Sequence, residues 1–194
     1  PHRALFVPWL QWIDGNTATG LIGGIAVSAA VTGAIQSSGA TIGMCFALVS
    51  AGVFTDLAHV YPIILGAHIG TCVTPLLACI GTGRNATRLA VFHLLFNLFN
   101  VTLAALLAPV ALRFIPMLQA ELSRQIANTH SLVMLAAGVL ALPCVPWAAK
   151  AMRYILPGTE HEEATTQLDE ELLDTPEAAL KALIAELQRM CNIT

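Results

Sequence analysis

The sequence predicts an all-α integral membrane protein with a re-entrant helical hairpin, a broken helix and further spans, followed by a soluble helical tail. Three observations predict it. Of 194 residues, 56% are hydrophobic and 11% charged, whereas about a quarter of a soluble domain carries charge. Between Gly15 and Gly83 there is no Lys or Arg, and Asp56 is the only carboxylate, so this stretch faces lipid or its own bundle. From Glu160 the composition inverts: Glu160, Glu162, Glu163, Asp169, Glu170, Glu171 and Asp174 crowd ahead of an amphipathic segment, which makes the tail aqueous.

The chain opens on Pro1, and His2-Arg3 leads into Leu5-Phe6-Val7 and Pro8 without the layout of a signal peptide. It reads as a piece of a longer protein. Cys45, Cys72, Cys79, Cys144 and Cys191 show no paired spacing, so no disulfide or zinc framework is indicated.

Residues 19–54 are uncharged. As a single helix they would measure about 54 Å, against a hydrocarbon core of about 30 Å, so the segment folds back on itself. Its one strongly polar cluster, Gln36-Ser37-Ser38, falls near the middle and leaves arms of about 16 residues, short for full crossings. A re-entrant hairpin with a buried tip follows; two full spans with an exposed turn are the alternative.

Residues 61–80 have span length but contain Gly66, His68, Gly70, Thr71, Thr74 and Pro75, and read as a broken helix. Pro75 cannot donate to the Thr71 carbonyl, and freed carbonyls there suit a cation; a simple proline kink is the bland reading.

The span expected over 89–112 carries His93, Asn97, Asn100 and Ala104 on one face, next to a stripe of Phe92, Phe96, Phe99 and Leu103. That polar edge should pack on the hairpin or the broken helix, through interhelical hydrogen bonds or ligand contact. A last span is expected over 131–149, with Pro143 and Pro146 disturbing its end and Trp147 at an interface. If both spans cross, Arg84, Arg88, Lys150 and Arg153 share one side and Arg113 and Arg124 the other. The positive-inside rule then places the first group and the tail in the cytosol. In the tail, Thr175 as N-cap, Pro176 at N1 and Glu177 start a helix whose Leu180, Leu183, Ile184, Leu187 and Met190 form an apolar stripe in need of a partner.

At a buried tip, Gln36, Ser37 and Ser38 offer neutral donors and acceptors, and the following helix, with Ser38 near its N-cap, points free N–H groups into the tip. Such a helix start suits an anion, and Gly39 lets a ligand approach the backbone. With no Lys or Arg in the stretch, an oxyanion there calls for an accompanying cation. Sodium fits the hard oxygens of Ser37, Ser38, Thr41, Thr71 and Thr74. Interhelical glue, helped by Gly33, Ala34 and Gly43, is the competing reading.

The stretches TGAIQSSGATIG and LGAHIGTCVTPLLACIGTGRNATRLAVFHLLFN resemble the second repeat of the bacterial sodium/phosphate cotransporter family, related to the type II animal transporters. The likeness runs from about Gly20 to Met190. It implies one half of an inverted-repeat transporter in the cell inner membrane, multi-pass, with no cofactor beyond sodium as coupling ion and no enzymatic chemistry. It implies phosphate contacts at Gln36, Ser37, Ser38, Gly39, Ala40 and Thr41 and sodium ligands among Ser37, Ser38, Thr71 and Thr74. Gly66, His68, Gly70, His93 and Asn97 would be supporting residues. The family's partner QSS motif is absent here, so the complete site requires the missing first repeat of the same protein or a homodimer. LDEELLDTPEAALKALIAELQRM resembles the start of a PhoU-like cytosolic tail. The implied organisation is a transmembrane repeat over 1–156, an acidic linker over 157–174 and a truncated helical domain over 175–194.

Two departures touch the implied site: Gly39 stands where the family usually has a third serine, and His68 where it usually has asparagine, which raises pH dependence as a question. IANTHSLVML echoes AVFHLLFNLF, but Val133 and Met134 replace the expected Phe-Asn pair and no site is drawn from it. Two other functions compete with symport: a transport-inactive membrane anchor presenting a regulatory tail, and a transition-metal path through His59, His68, His93 and His130. Besides that missing repeat or second copy, the partners called for are phosphate, sodium and the lipid bilayer, and nucleic acid is not among them.

Overall fold

The computed structural model describes residues 12–157 and 176–192, and among them there is no strand. The readings of residues 1–8, of Thr175 and of the acidic residues 160–174 lie outside the described residues, as does the Met190 side chain. The chain divides into two units, Pro1–Pro157 and Gly158–Thr194.

The first unit contains α1 (Ala18–Ile35), α2 (Ser38–Ser50), α3 (Leu57–Gly70), α4 (Val73–Ala78), α5 (Arg84–Leu106), α6 (Ala108–Leu118) and α7 (Leu122–Ile155). Among the described residues, four stretches are long and apolar enough to cross a membrane: Ala18–Ile35, Leu57–Ala78, Arg84–Leu106 and Leu122–Ile155. The segment expected to fold back does so at Gln36. Its φ of 57° is left-handed, and its N–H returns to the Thr32 carbonyl, which closes α1 in the manner of a helix C-cap.

Gly66 and Gly70 do not break the helix. Both lie inside α3, one turn apart, where a Cβ on Gly66 would sit 2.6 Å from Ser28 Cβ and one on Gly70 2.5 Å from Thr32 Cβ. This is a small-xxx-small face packed on α1. Gly24 against Pro62, Ser28 Oγ donating to the Ile63 carbonyl at 2.6 Å, and Thr32 against Gly70 show the two helices running parallel. Pro62 lacks the N–H that would reach the Ala58 carbonyl; the Gly15 N–H takes that acceptor instead, at 2.8 Å. The actual interruption is at Thr71-Cys72, and it is mild. Both residues keep right-handed helical dihedrals, and the Cys72 N–H tightens to the Ile69 carbonyl.

Two further boundaries differ from expectation. The span expected over 89–112 ends at Leu106, because Pro109 cannot donate back and Leu107 (φ −87°, ψ 2°) leaves helical geometry before α6 starts. Pro143 and Pro146, expected to disturb the last span, lie inside α7. Each removes one backbone bond, and the others carry the helix through to Ile155. At 34 residues α7 measures about 51 Å, longer than a hydrocarbon core.

The Tyr61 hydroxyl donates to the Ala104 carbonyl at 2.8 Å, while the Cys72 thiol reaches the His93 carbonyl at 3.8 Å, so α3 and α5 run antiparallel. The face carrying His93, Asn97, Asn100 and Ala104 therefore meets the α3–α4 rod. At one end of the bundle Arg88 donates through Nε and Nη2 to the Leu156 carbonyl, at 3.1 and 3.0 Å. The α5 start, with Arg84 and Arg88, and the α7 end, with Lys150 and Arg153, thus share that end.

In the second unit the described helix α8 (Pro176–Asn192) begins at the expected proline. Its Leu180, Leu183, Ile184 and Leu187 are exposed.

Candidate functional site

The tip of the α1–α2 pair is built by short-range capping. Ser37, with extended backbone, is the N-cap of α2, and its Oγ accepts from the Ala40 N–H at 3.2 Å. Ser38, expected near the cap, directly follows it as the first residue of the helix. The Thr41 N–H returns to the Ser37 carbonyl, whereas the N–H groups of Ser38 and Gly39, in the first turn of α2, have no helix carbonyl to reach. A Cβ at Gly39 would have only Ser37 Oγ nearby, at 3.9 Å, so the backbone there is open to approach.

Behind the tip, Thr32 and Thr41 are buried and share a hydrogen bond between hydroxyls of 2.8 Å. Thr41 Oγ1 also lies 3.3 Å from the Ser37 carbonyl. Thr32 was not singled out by sequence reasoning, although a signal existed: it precedes the tip by one turn as Thr41 follows it. In a double-mutant cycle, Thr32→Val and Thr41→Val should each lower unfolding resistance in micelles by about 1 kcal/mol, and the pair by less than the sum. Additive losses would mean that the bond contributes nothing.

Gly33, in the last turn of α1, lies against Val73 at the start of α4; a Cβ there would be 2.9 Å from Val73 Cγ2. Tip and interruption are therefore neighbours. Thr71 Oγ1 donates to the His68 carbonyl at 2.7 Å, and Pro75 deprives the Thr71 carbonyl of its i+4 donor. On the α5 side, Asn97 Nδ2 donates to the His93 carbonyl at 2.9 Å, next to Cys72. Among the described residues, no hydrogen bond uses the Gln36 amide or the hydroxyls of Ser38 and Thr74, and Gln36 and Thr74 are exposed.

Depth follows from register. His93, level with Cys72, is nine positions after Arg84, about 14 Å along an α5 of about 34 Å. The tip therefore sits part-way along a membrane-length helix.

His68 is placed apart from this cluster. Two positions from both Gly66 and Gly70, it is on the side of α3 away from α1, where its ring stacks on His130 of α7 with centroids 5.0 Å apart and planes 9° from parallel. His68 Nε2 and His130 Nδ1 are buried without hydrogen-bond partners among the described residues. Echo or not, His130 thus meets the motif through its ring. His59 stacks on Phe54 instead, and among the described residues no three His, Cys, Asp or Glu side chains gather as a metal-holding group.

A family model described as Na+/Pi-cotransporter matches residues 6–144. The uncharacterized protein YqeW of Bacillus subtilis is 27% identical over 144 residues, 74% of this chain and 45% of that protein. The sodium-dependent phosphate transport protein 2C of Mus musculus is 34% identical over 96 residues, 47% of this chain and 15% of that protein. For protein 2B of Homo sapiens the identity is 33% over 96 residues, 47% and 13%. The chain thus spans less than half the length of these curated relatives. No solved structure matches.

Proposed function

Because the chain belongs to the Na+/Pi-cotransporter family, we propose that it supplies one half of the binding site of a sodium-coupled phosphate symporter. The observation that carries this reading is the tip at Gln36-Ser37, part-way along α5 and beside the α3–α4 interruption, with polar groups that the fold leaves unused. Irregular backbone at that depth is tolerated where it lines a wet cavity, which makes the α1–α2 pair a re-entrant hairpin.

In this site phosphate lies over the start of α2. It accepts from the Ser38 and Gly39 N–H groups, the Gln36 amide and the Ser37 and Ser38 hydroxyls, with Ala40 and Thr41 forming the floor. No Lys or Arg of this chain lies near the tip in sequence, so sodium offsets the anion's charge. It would be held by oxygens of Ser37, Ser38, Thr71 and Thr74 and by the Thr71 carbonyl that Pro75 leaves free. Gly66 and Gly70 hold the hairpin against α3, and Asn97 and His93 back the interruption from α5. His68 acts from the α7 side rather than on the ligand. The missing first repeat, or a second copy in a homodimer, completes the site, and rocking of the halves gives alternating access. The end with Arg84, Arg88, Lys150 and Arg153 is cytosolic, and the tail with it.

The test is radiolabelled phosphate uptake by the full-length protein in proteoliposomes under an imposed sodium gradient, with potassium as control. Uptake that requires sodium supports symport. Absence of uptake in vesicles where a control transporter works favours the transport-inactive anchor, a reading helped by the exposed stripe of α8.

A further inference from the structure

Between the first half of α5 and the last third of α7 runs a cavity of about 410 Å³ whose walls are apolar, among them Leu89, Phe92, Val145 and Met152, and whose polar end carries Arg88 and Arg153. Leu89 and Val145 are exposed, 68% and 51%, so the walls open outward from the unit. The polar end coincides with the bundle end that gathers Arg84, Arg88, Lys150 and Arg153. The described carboxylates of this unit, Asp14, Asp56 and Glu121, lie at the starts of α1, α3 and α7, at the opposite end. Trp147 and Tyr154, 74% and 88% exposed, mark the cationic end as an interfacial level.

We propose that this cleft is a binding site for an anionic phospholipid, with an acyl chain along Leu89, Phe92 and Val145 and the phosphate on Arg153 beside the Arg88 guanidinium. The ligand must be amphipathic, because the cleft is: an apolar channel ending in cations at the membrane edge is the complement of a lipid chain joined to a charged headgroup. An acidic peptide would meet the cationic end and leave the apolar walls unfilled; free phosphate would do the same. Arg88 already holds the end of α7 through the Leu156 carbonyl. Bound lipid would therefore brace the α5–α7 contact where the chain leaves the membrane. This inference does not depend on the transport reading.

The full-length protein is reconstituted in nanodiscs of equal phosphatidylglycerol and phosphatidylcholine, and the lipid retained on it is counted by native mass spectrometry. The expected result is retention of one phosphatidylglycerol, preferred about five-fold or more over phosphatidylcholine. Arg153→Gln should reduce that preference about five-fold. Ala149→Trp, which fills the cleft, should remove retention with all charges intact. Excess inorganic phosphate should leave retention unchanged. Equal retention of both lipids by the wild type, or an unchanged preference in both variants, would overturn the proposal. So would displacement by inorganic phosphate. Preference that emerges only after Glu160, Glu162 and Glu163 are changed to Gln would assign the cations to the acidic segment and overturn it as well.

Discussion

Gln36→Gly combined with Ser37→Asp should lower sodium-driven phosphate uptake roughly 100-fold or more while leaving the fold intact. Each substitution is chosen for what it preserves. Gln36 has a φ of 57°, a conformation that glycine adopts without strain, so Gln36→Gly removes the amide and keeps the turn. Alanine there would confound the loss of a ligand with backbone strain. Ser37 caps α2 through its Oγ, and Asp is an equally good cap, so Ser37→Asp keeps the helix start. It also places a negative charge where phosphate is to bind. Hydrogen bonds to a charged group contribute about 1.5–3 kcal/mol each, so two lost contacts give about 3–6 kcal/mol, hence the expected factor. Uptake by the purified full-length variant, at an unchanged elution volume and helix content, is the readout. Wild-type rates in the folded variant would remove the tip from the site.

The second large effect is structural. Gly66→Ala with Gly70→Ala should destabilise the helical body by roughly 4 kcal/mol, at about 1–3 kcal/mol for each overpacked position. The new Cβ atoms would press on α1 backbone: the Ala29 N at 2.9 Å from position 66, and the Ala29 O and Gly33 N at 2.7 and 2.9 Å from position 70. Backbone yields less readily than a side chain tip, so α1 must move away from α3. Ser28 Oγ then loses the Ile63 carbonyl, and the tip loses its place beside Val73. Gly43→Ala is the control, since nothing lies within 4 Å of its Cβ position and alanine favours the helix. Denaturant unfolding of the full-length protein in micelles should separate the two. Equal midpoints would show that the α1–α3 contact is looser than this register requires.

Both experiments turn on residues whose roles divide between local and non-local causes. The sequence alone determined the all-helical membrane body, since span length and the absence of charge are properties of a stretch. It placed the fold-back at Gln36-Ser37, because a polar cluster midway along an overlong apolar segment has only one low-cost use. It also placed the helix start at Pro176, whose fixed φ suits the first helical position. What it could not determine is which side of a helix meets which neighbour. Gly66 and Gly70 looked like helix breakers because glycine weakens an isolated helix. Their use is closeness to α1, which exists only once α3 runs parallel to it. His68 sat inside a site motif, yet the two positions separating it from each glycine turn its ring to His130. Pro143 and Pro146 were expected to disturb the end of the last span, yet α7 continues through them. The level of the tip along α5 likewise came from tertiary register, through the Cys72 and His93 contact, because it is measured against a helix distant in sequence. Propensity and polarity act over a few residues, whereas facing and depth are set by packing between segments that the chain brings together only on folding.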